Sequence, residues 1–110
     1  KMEYLEFVET SVFSKACKSL FSDDEYKEFQ AYMLTDPEAG AVIVGTAGCR
    51  KVRWSRPGTG KSSGVRAIYY YYNEVGRLYM LLIYPKSEKD SLTGAEKNML
   101  RSVVESFKEE

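Results

Sequence analysis

Apolar positions along this chain switch between two spacings, one near two and one near 3.6 residues, and each switch marks an element boundary. Residues 2–9 alternate weakly (Tyr4, Leu5, Phe7, Val8), which predicts a first strand. Val12, Phe13, Ala16, Cys17, Leu20 and Phe21 then recur at helical spacing behind a Thr10 or Ser11 cap. Ser22-Asp23-Asp24-Glu25 is a capping-box pattern, with Glu three residues after Ser, and opens a second helix. Tyr26, Phe29, Met33 and Leu34 form its apolar stripe, and it ends near Asp36-Pro37. Almost no loop separates the two helices, so an antiparallel hairpin is expected.

After a turn at Glu38-Ala39-Gly40 the spacing returns to two. Residues 41–45 read as a short strand and residues 49–55 as the next. Pro57-Gly58-Thr59-Gly60 breaks the pattern, because Pro lacks a donor and Gly tolerates positive φ. Residues 65–72 and 77–84 follow as strands around a turn at Asn73-Glu74-Val75-Gly76. The second of these is apolar almost throughout, as a central strand covered on both faces would be. Thr93 or Ser91 caps a last helix with Ala95, Met99, Leu100, Val103, Val104 and Phe107 on one stripe. The order β-α-α-β-β-β-β-α, with a mostly antiparallel sheet packed against a helical hairpin, is α+β. Residues 1–110 form one domain, without repeats or a linker.

Composition narrows the function classes. Hydrophobic content of 44% and charged content of 29% are those of a folded globular chain. No apolar run approaches the ~20 residues of a membrane helix, and no signal peptide is expected ahead of the first strand. A cytoplasmic protein is expected, with Met2 read as the natural start. The two cysteines, Cys17 and Cys49, and the lack of histidine argue for reduced structural thiols rather than a metal site. No cofactor is expected.

The 16 basic and 16 acidic residues cancel, so any charge signal is local. Between positions 50 and 66 lie six cations, Arg50, Lys51, Arg53, Arg56, Lys61 and Arg66, and no acid. A one-sign cluster on a hairpin is the footprint of a polyanion site. Gly60-Lys61-Ser62 imitates the end of a phosphate-binding P-loop, but Ser55 stands where its first glycine belongs and a strand follows instead of a helix. RNA cleavage asks for more than binding. The 2′-hydroxyl must lose a proton, the charge gathering on phosphorus must be stabilised, and the leaving oxygen must gain a proton. Without histidine, Lys, Tyr or a carboxylate has to serve, and crowded cations lower a lysine pKa. Arg66, just after Gly64-Val65, has a fork that grips two phosphate oxygens. Lys86, Glu88 and Lys89 lie where the last strand ends, beside the start of the Arg66 strand if the two are antiparallel. The Tyr69–Tyr72 run could stack bases, but core packing is the better reading. Trp54 is open between base stacking and packing.

Three ordered segments carry a resemblance: 45–53 (Gly-Thr-Ala-Gly-Cys-Arg-Lys-Val-Arg), 60–70 (Gly-Lys-Ser-Ser-Gly-Val-Arg-Ala-Ile-Tyr-Tyr) and 81–88 (Leu-Leu-Ile-Tyr-Pro-Lys-Ser-Glu). With the Asp23-Asp24-Glu25-Tyr26 helix start and the Asp36-Pro37-Glu38-Ala39-Gly40 turn, the chain resembles the RelE superfamily of bacterial toxins, and within it the HigB branch. The resemblance implies a compact RelE-like fold and metal-independent, ribosome-dependent cleavage of mRNA that inhibits translation and growth. It also implies neutralisation by a cognate helix-turn-helix, HigA-like antitoxin. By this match Lys51 and Arg53 are the basic pair on the second core strand, and Lys61 is a loop lysine of the HigB branch. Arg66 is the arginine that stabilises the transition state, and Lys86 is the basic residue after the last strand. Arg50, Arg53, Arg56 and Lys89 are expected to hold RNA. RelE carries a further arginine and then a tyrosine after that last basic residue; here Ser87 takes the first place and no tyrosine follows Pro85. The general base stays open among Lys51, Lys61 and Tyr84. A non-catalytic RNA- or ribosome-binding protein on the same scaffold is the alternative.

Overall fold

The computed structural model describes residues 4–55, 64–89 and 91–109. The chain order is β1 (Glu6–Glu9), α1 (Ser11–Leu20), α2 (Asp23–Thr35), β2 (Ala41–Val42), β3 (Arg50–Trp54), β4 (Val65–Tyr72), β5 (Arg77–Pro85) and α3 (Gly94–Phe107). The strands form one sheet in the order β1-β5-β4-β3-β2, with β1 parallel to β5 and the other pairs antiparallel. The α+β order expected from the apolar spacing is therefore the observed one. Residues 2 and 3 of the expected first strand and the 57–60 break lie outside the described residues.

Capping chemistry sets the helix starts. Thr10 Oγ1 accepts from Phe13 N at 3.0 Å, Ser22 Oγ from Glu25 N at 3.1 Å, and Thr93 Oγ1 from Glu96 N at 3.1 Å. Each satisfies a donor that the first helical turn leaves without a partner. Thr93, not Ser91, is the cap of α3, because Glu96 reaches back to Thr93 N at 2.8 Å and completes a capping box.

Strand period then divides the core between two faces. Val65, Ala67 and Tyr69 of β4 point to one side, where Phe13, Cys17, Phe29 and Met33 of α1 and α2 cover them. Ile68 and Tyr70 point to the other, against Leu100 and Val104 of α3. β5 lies between β1 and β4 with both faces covered, which explains its unbroken apolar sequence. The helical hairpin is thus one of two covers, and α3 is the second.

The strand expected over 41–45 stops at Val42. Gly45, Ala47 and Gly48 all take positive φ, so the backbone turns away from the ladder there. Thr46, fully buried, closes this turn by donating to Ile43 O at 2.7 Å and accepting from Cys49 N at 3.0 Å. On the other side of β2, the Tyr69 hydroxyl ties the α2–β2 connection to the sheet. It donates to Pro37 O at 2.7 Å and accepts from Gly40 N at 3.0 Å. Gly40 is required at that point, because a Cβ would lie 2.8 Å from Lys51 O.

Candidate nucleic-acid interface

Register puts the site together. Arg53 of β3 faces Arg66 of β4, and Arg66 faces Tyr84 of β5. These three make one transverse row, spanning about 10 Å at the usual strand spacing. The row lies on the α3 side of the sheet, since the residues flanking it on β4, Val65 and Ala67, belong to the opposite core. Lys51 faces Ile68 one step along the same surface. At the other end Lys86 N donates to Gly64 O at 2.9 Å, which extends the β4–β5 ladder by one pair. Alternation from Tyr84 gives Lys86 the same face. Lys51 and Lys86 thus flank the row from opposite ends, and the two lysines and Arg66 share one surface.

Arg66 is the unusual member. It is 7% exposed, and among the described residues its Nη1 donates to its own neighbour Val65 O at 3.3 Å while its Nε is buried without a hydrogen-bond partner. No carboxylate among the described residues pairs with it. An uncompensated buried guanidinium costs several kcal/mol. Placing Arg53 directly opposite adds like-charge repulsion across the strand pair. A fold that keeps both charges there is complementary to an anion that would relieve both penalties.

The remaining cations of the cluster separate. Arg50 faces Tyr69, on the opposite surface, and donates to Gly40 O at 2.8 Å and Glu38 O at 3.2 Å, with the Glu38 carboxylate 3.8 Å away. It fastens the α2–β2 connection and does not join the row. Lys89 is ion-paired with Glu96 of α3, and its Nζ sits 5.4 Å above the centre of the Tyr84 ring. Arg56 and Lys61 lie outside the described residues.

The aromatic candidates go to the core. Tyr69 is fully buried, and that burial pushes its phenol up from the usual tyrosine value. Tyr70 is buried as well, stacking on Phe107 of α3. Trp54 sits on the α1/α2 side, edge-on to Phe29 with ring centres 5.5 Å apart, so it does not share a surface with the Arg66 row. Tyr84 is 6% exposed within the row, the tyrosine that stands with the cations.

The partner that sequence reasoning missed is Glu96. Hydrogen bonding to Lys89 first, and to Thr93 second, holds its carboxyl below the usual carboxylate range. The signal was present as Thr93-Gly94-Ala95-Glu96, a capping-box spacing; its second role, facing Lys89, depends on how α3 folds back to the end of β5. Among the described residues no cluster of His, Cys, Asp and Glu could hold a metal ion, and no helix is long and apolar enough to cross a membrane.

No protein-family model matches the sequence. Solved structures do match the fold. A free-state E. coli toxin RelE carrying two arginine-to-alanine substitutions aligns with a TM-score of 0.58 at 20% identity, over 81% of this chain and 90% of that one. A chain of the intact E. coli RelBE toxin–antitoxin complex gives 0.53 at 22% identity, over 76% and 96%. The isolated E. coli RelE toxin gives 0.53 at 18% identity, over 93% and 99%. Helices packed on a five-stranded mixed sheet, covering nearly all of each neighbour, give this chain the fold of the toxin RelE.

Proposed function

We propose that this chain is the toxin of a type II toxin–antitoxin pair and cleaves mRNA on the ribosome, as the HigB branch of the RelE superfamily does. The observation that carries the reading is Arg66: a buried guanidinium whose Nε has no hydrogen-bond partner among the described residues, opposite a second arginine, in the fold of a toxin. Fold alone would not assign an activity, because function lives in the site. Here the site is a strip of cations on one sheet surface, shaped for a chain of phosphates.

The chemistry follows from what the row can supply. Arg53 and Lys51, on β3, hold the RNA backbone. Arg66 places its fork on the phosphate oxygens where charge develops as the 2′-oxygen bonds to phosphorus. The 2′-proton goes to a base, with Tyr84 in the Arg66 row and Lys51 one step away as described candidates and Lys61 a third. The bond from phosphorus to the 5′-oxygen breaks, and that oxygen takes a proton from an acid, for which Lys86 is placed at the far end. The products are a 2′,3′-cyclic phosphate and a 5′-hydroxyl. The complex of RelE with its antitoxin supports an antitoxin partner for this chain, with a helix-turn-helix protein as the proposed type.

Toe-printing of a translated mRNA, with and without the protein, tests the reading. Ribosome-dependent strand breaks that vanish with Arg66→Ala support it. Translation arrest without any break would identify a ribosome-binding protein that does not cut.

A further inference from the structure

We infer that Lys89 is a positioning residue for Tyr84, held over its ring by Glu96, and not a phosphate contact. Lys89 lies in the connection from β5 to α3, where charge content alone suggests a hand for RNA. Its ammonium is already met by the Glu96 carboxylate. That carboxylate is itself fixed, because its second oxygen accepts from Thr93 N at 2.8 Å in the capping box of α3. The ammonium is therefore anchored to the rigid start of a helix and sits 5.4 Å above the Tyr84 ring. A cation over an aromatic face is attracted to it, more strongly where water is excluded, and both side chains of the ion pair are 29% exposed.

Two consequences follow for Tyr84. The ring is clamped in the row that also contains Arg66 and Arg53. The described charges around it are Arg66 from β4, Lys86 two residues along the same face, Lys89 from the connection, and Glu96 of α3 behind Lys89. Lys89 favours the phenolate over the phenol, and Glu96 tempers that effect. A neutralised lysine adds little to phosphate binding, since its charge is spent on the carboxylate.

The test uses the full chain labelled with 13C at the tyrosine ring carbon bearing oxygen, the Tyr84 signal being assigned by its loss in Tyr84→Phe. Lys89→Met moves the Tyr84 titration to higher pH, and Lys89→Arg leaves it near wild type. In a second arm, Lys89→Met leaves the salt slope for a 2′-deoxy, non-cleavable single strand unchanged, whereas Lys51→Met lowers it by about 0.7. An unmoved Tyr84 titration in Lys89→Met, or a salt slope that falls as it does for Lys51→Met, overturns the inference. The binding arm rests on the proposed RNA site, and the titration arm does not. A shifted titration beside wild-type cleavage by Tyr84→Phe upholds the clamp and removes Tyr84 from the proposed chemistry.

Discussion

Arg66 shows at the scale of one side chain how far burial and charge can be set against each other. A guanidinium bound only for affinity could sit at the surface, as Arg53 does on β3. Holding it 7% exposed, its Nε without a partner among the described residues, restricts its direction before any ligand arrives. A preorganised donor of that kind contributes most where charge is greatest, in the transition state. Arg66→Ala is expected to lower single-turnover cleavage on programmed ribosomes by about 10²–10³, or ~3–4 kcal/mol, with the ribosome complex still forming. Arg66→Lys recovers part of the loss, because an ammonium cannot reproduce the two-pronged grip. Near-wild-type cleavage by a folded Arg66→Ala protein would move the assignment to a non-cutting binder. The thiols show the same physics without a function. Burial, aided by Glu9, pushes Cys17 up to about 11, and burial pushes Cys49 up to about 11. Each keeps a proton in the folded chain that the unfolded chain gives up near 9.0. Their contribution to stability is therefore full below pH 9 and fades as pH rises toward 11. Urea midpoints measured from pH 8 to 11 should fall across that window, and a Cys17→Ala, Cys49→Ala protein should fall less steeply from its lower starting value.

At the scale of elements, local sequence decided most of the outcome where one element's own pattern was enough. The caps at Thr10, Ser22 and Thr93, the helical stripes and the apolar run of β5 were legible because each is a local regularity. The Arg66 row was legible only as a cluster in sequence. Which cations share a surface depends on the register of three strands, and a one-residue slip would exchange Arg50 for Lys51. Arg50 and Lys89 went elsewhere for a related reason: their partners, the Glu38 segment and Glu96, come from other elements that only the folded chain brings close. The early end of β2 was written in Gly45 and Gly48, whose positive φ bends the chain out of the sheet. Tyr69 joins the two kinds of information, a core residue on its own strand and a clasp on the α2–β2 connection. Tyr69→Phe leaves Pro37 O and Gly40 N without this partner. The expected cost is about 1–3 kcal/mol in urea unfolding, with the fold retained by circular dichroism. A cost near zero would show that water replaces the hydroxyl at both sites.

Across the whole molecule, equal numbers of acids and bases conceal a directional field. Acids of the chain are spent on fastening its own cations: Glu38 on Arg50, Glu6 on Arg77, and Glu96 on Lys89. What remains on the α3 side of the sheet is Lys51, Arg53, Arg66 and Lys86, without a carboxylate paired to any of them among the described residues. This arrangement makes a quantitative prediction that composition cannot make. Counterion release from a single strand lowers log affinity by about 0.7 per log unit of salt for each phosphate engaged. Four such cations then give a slope of roughly −3 for a non-cleavable single-stranded oligonucleotide, and Arg56 and Lys61 would each steepen it if they also touch the backbone. Counting every cation near the site instead, Arg50 and Lys89 included, gives a steeper value, so the two countings separate in one titration. Fluorescence anisotropy from 50 to 300 mM salt measures the slope. Lys51→Met and Lys86→Met should each flatten it by about 0.7, and Arg50→Met should leave it alone while lowering stability through the lost bonds to Glu38 and Gly40. A slope near zero, or equal flattening by Arg50→Met and Lys51→Met, would mean that the surface on which Arg66 lies is not the one that meets the phosphates.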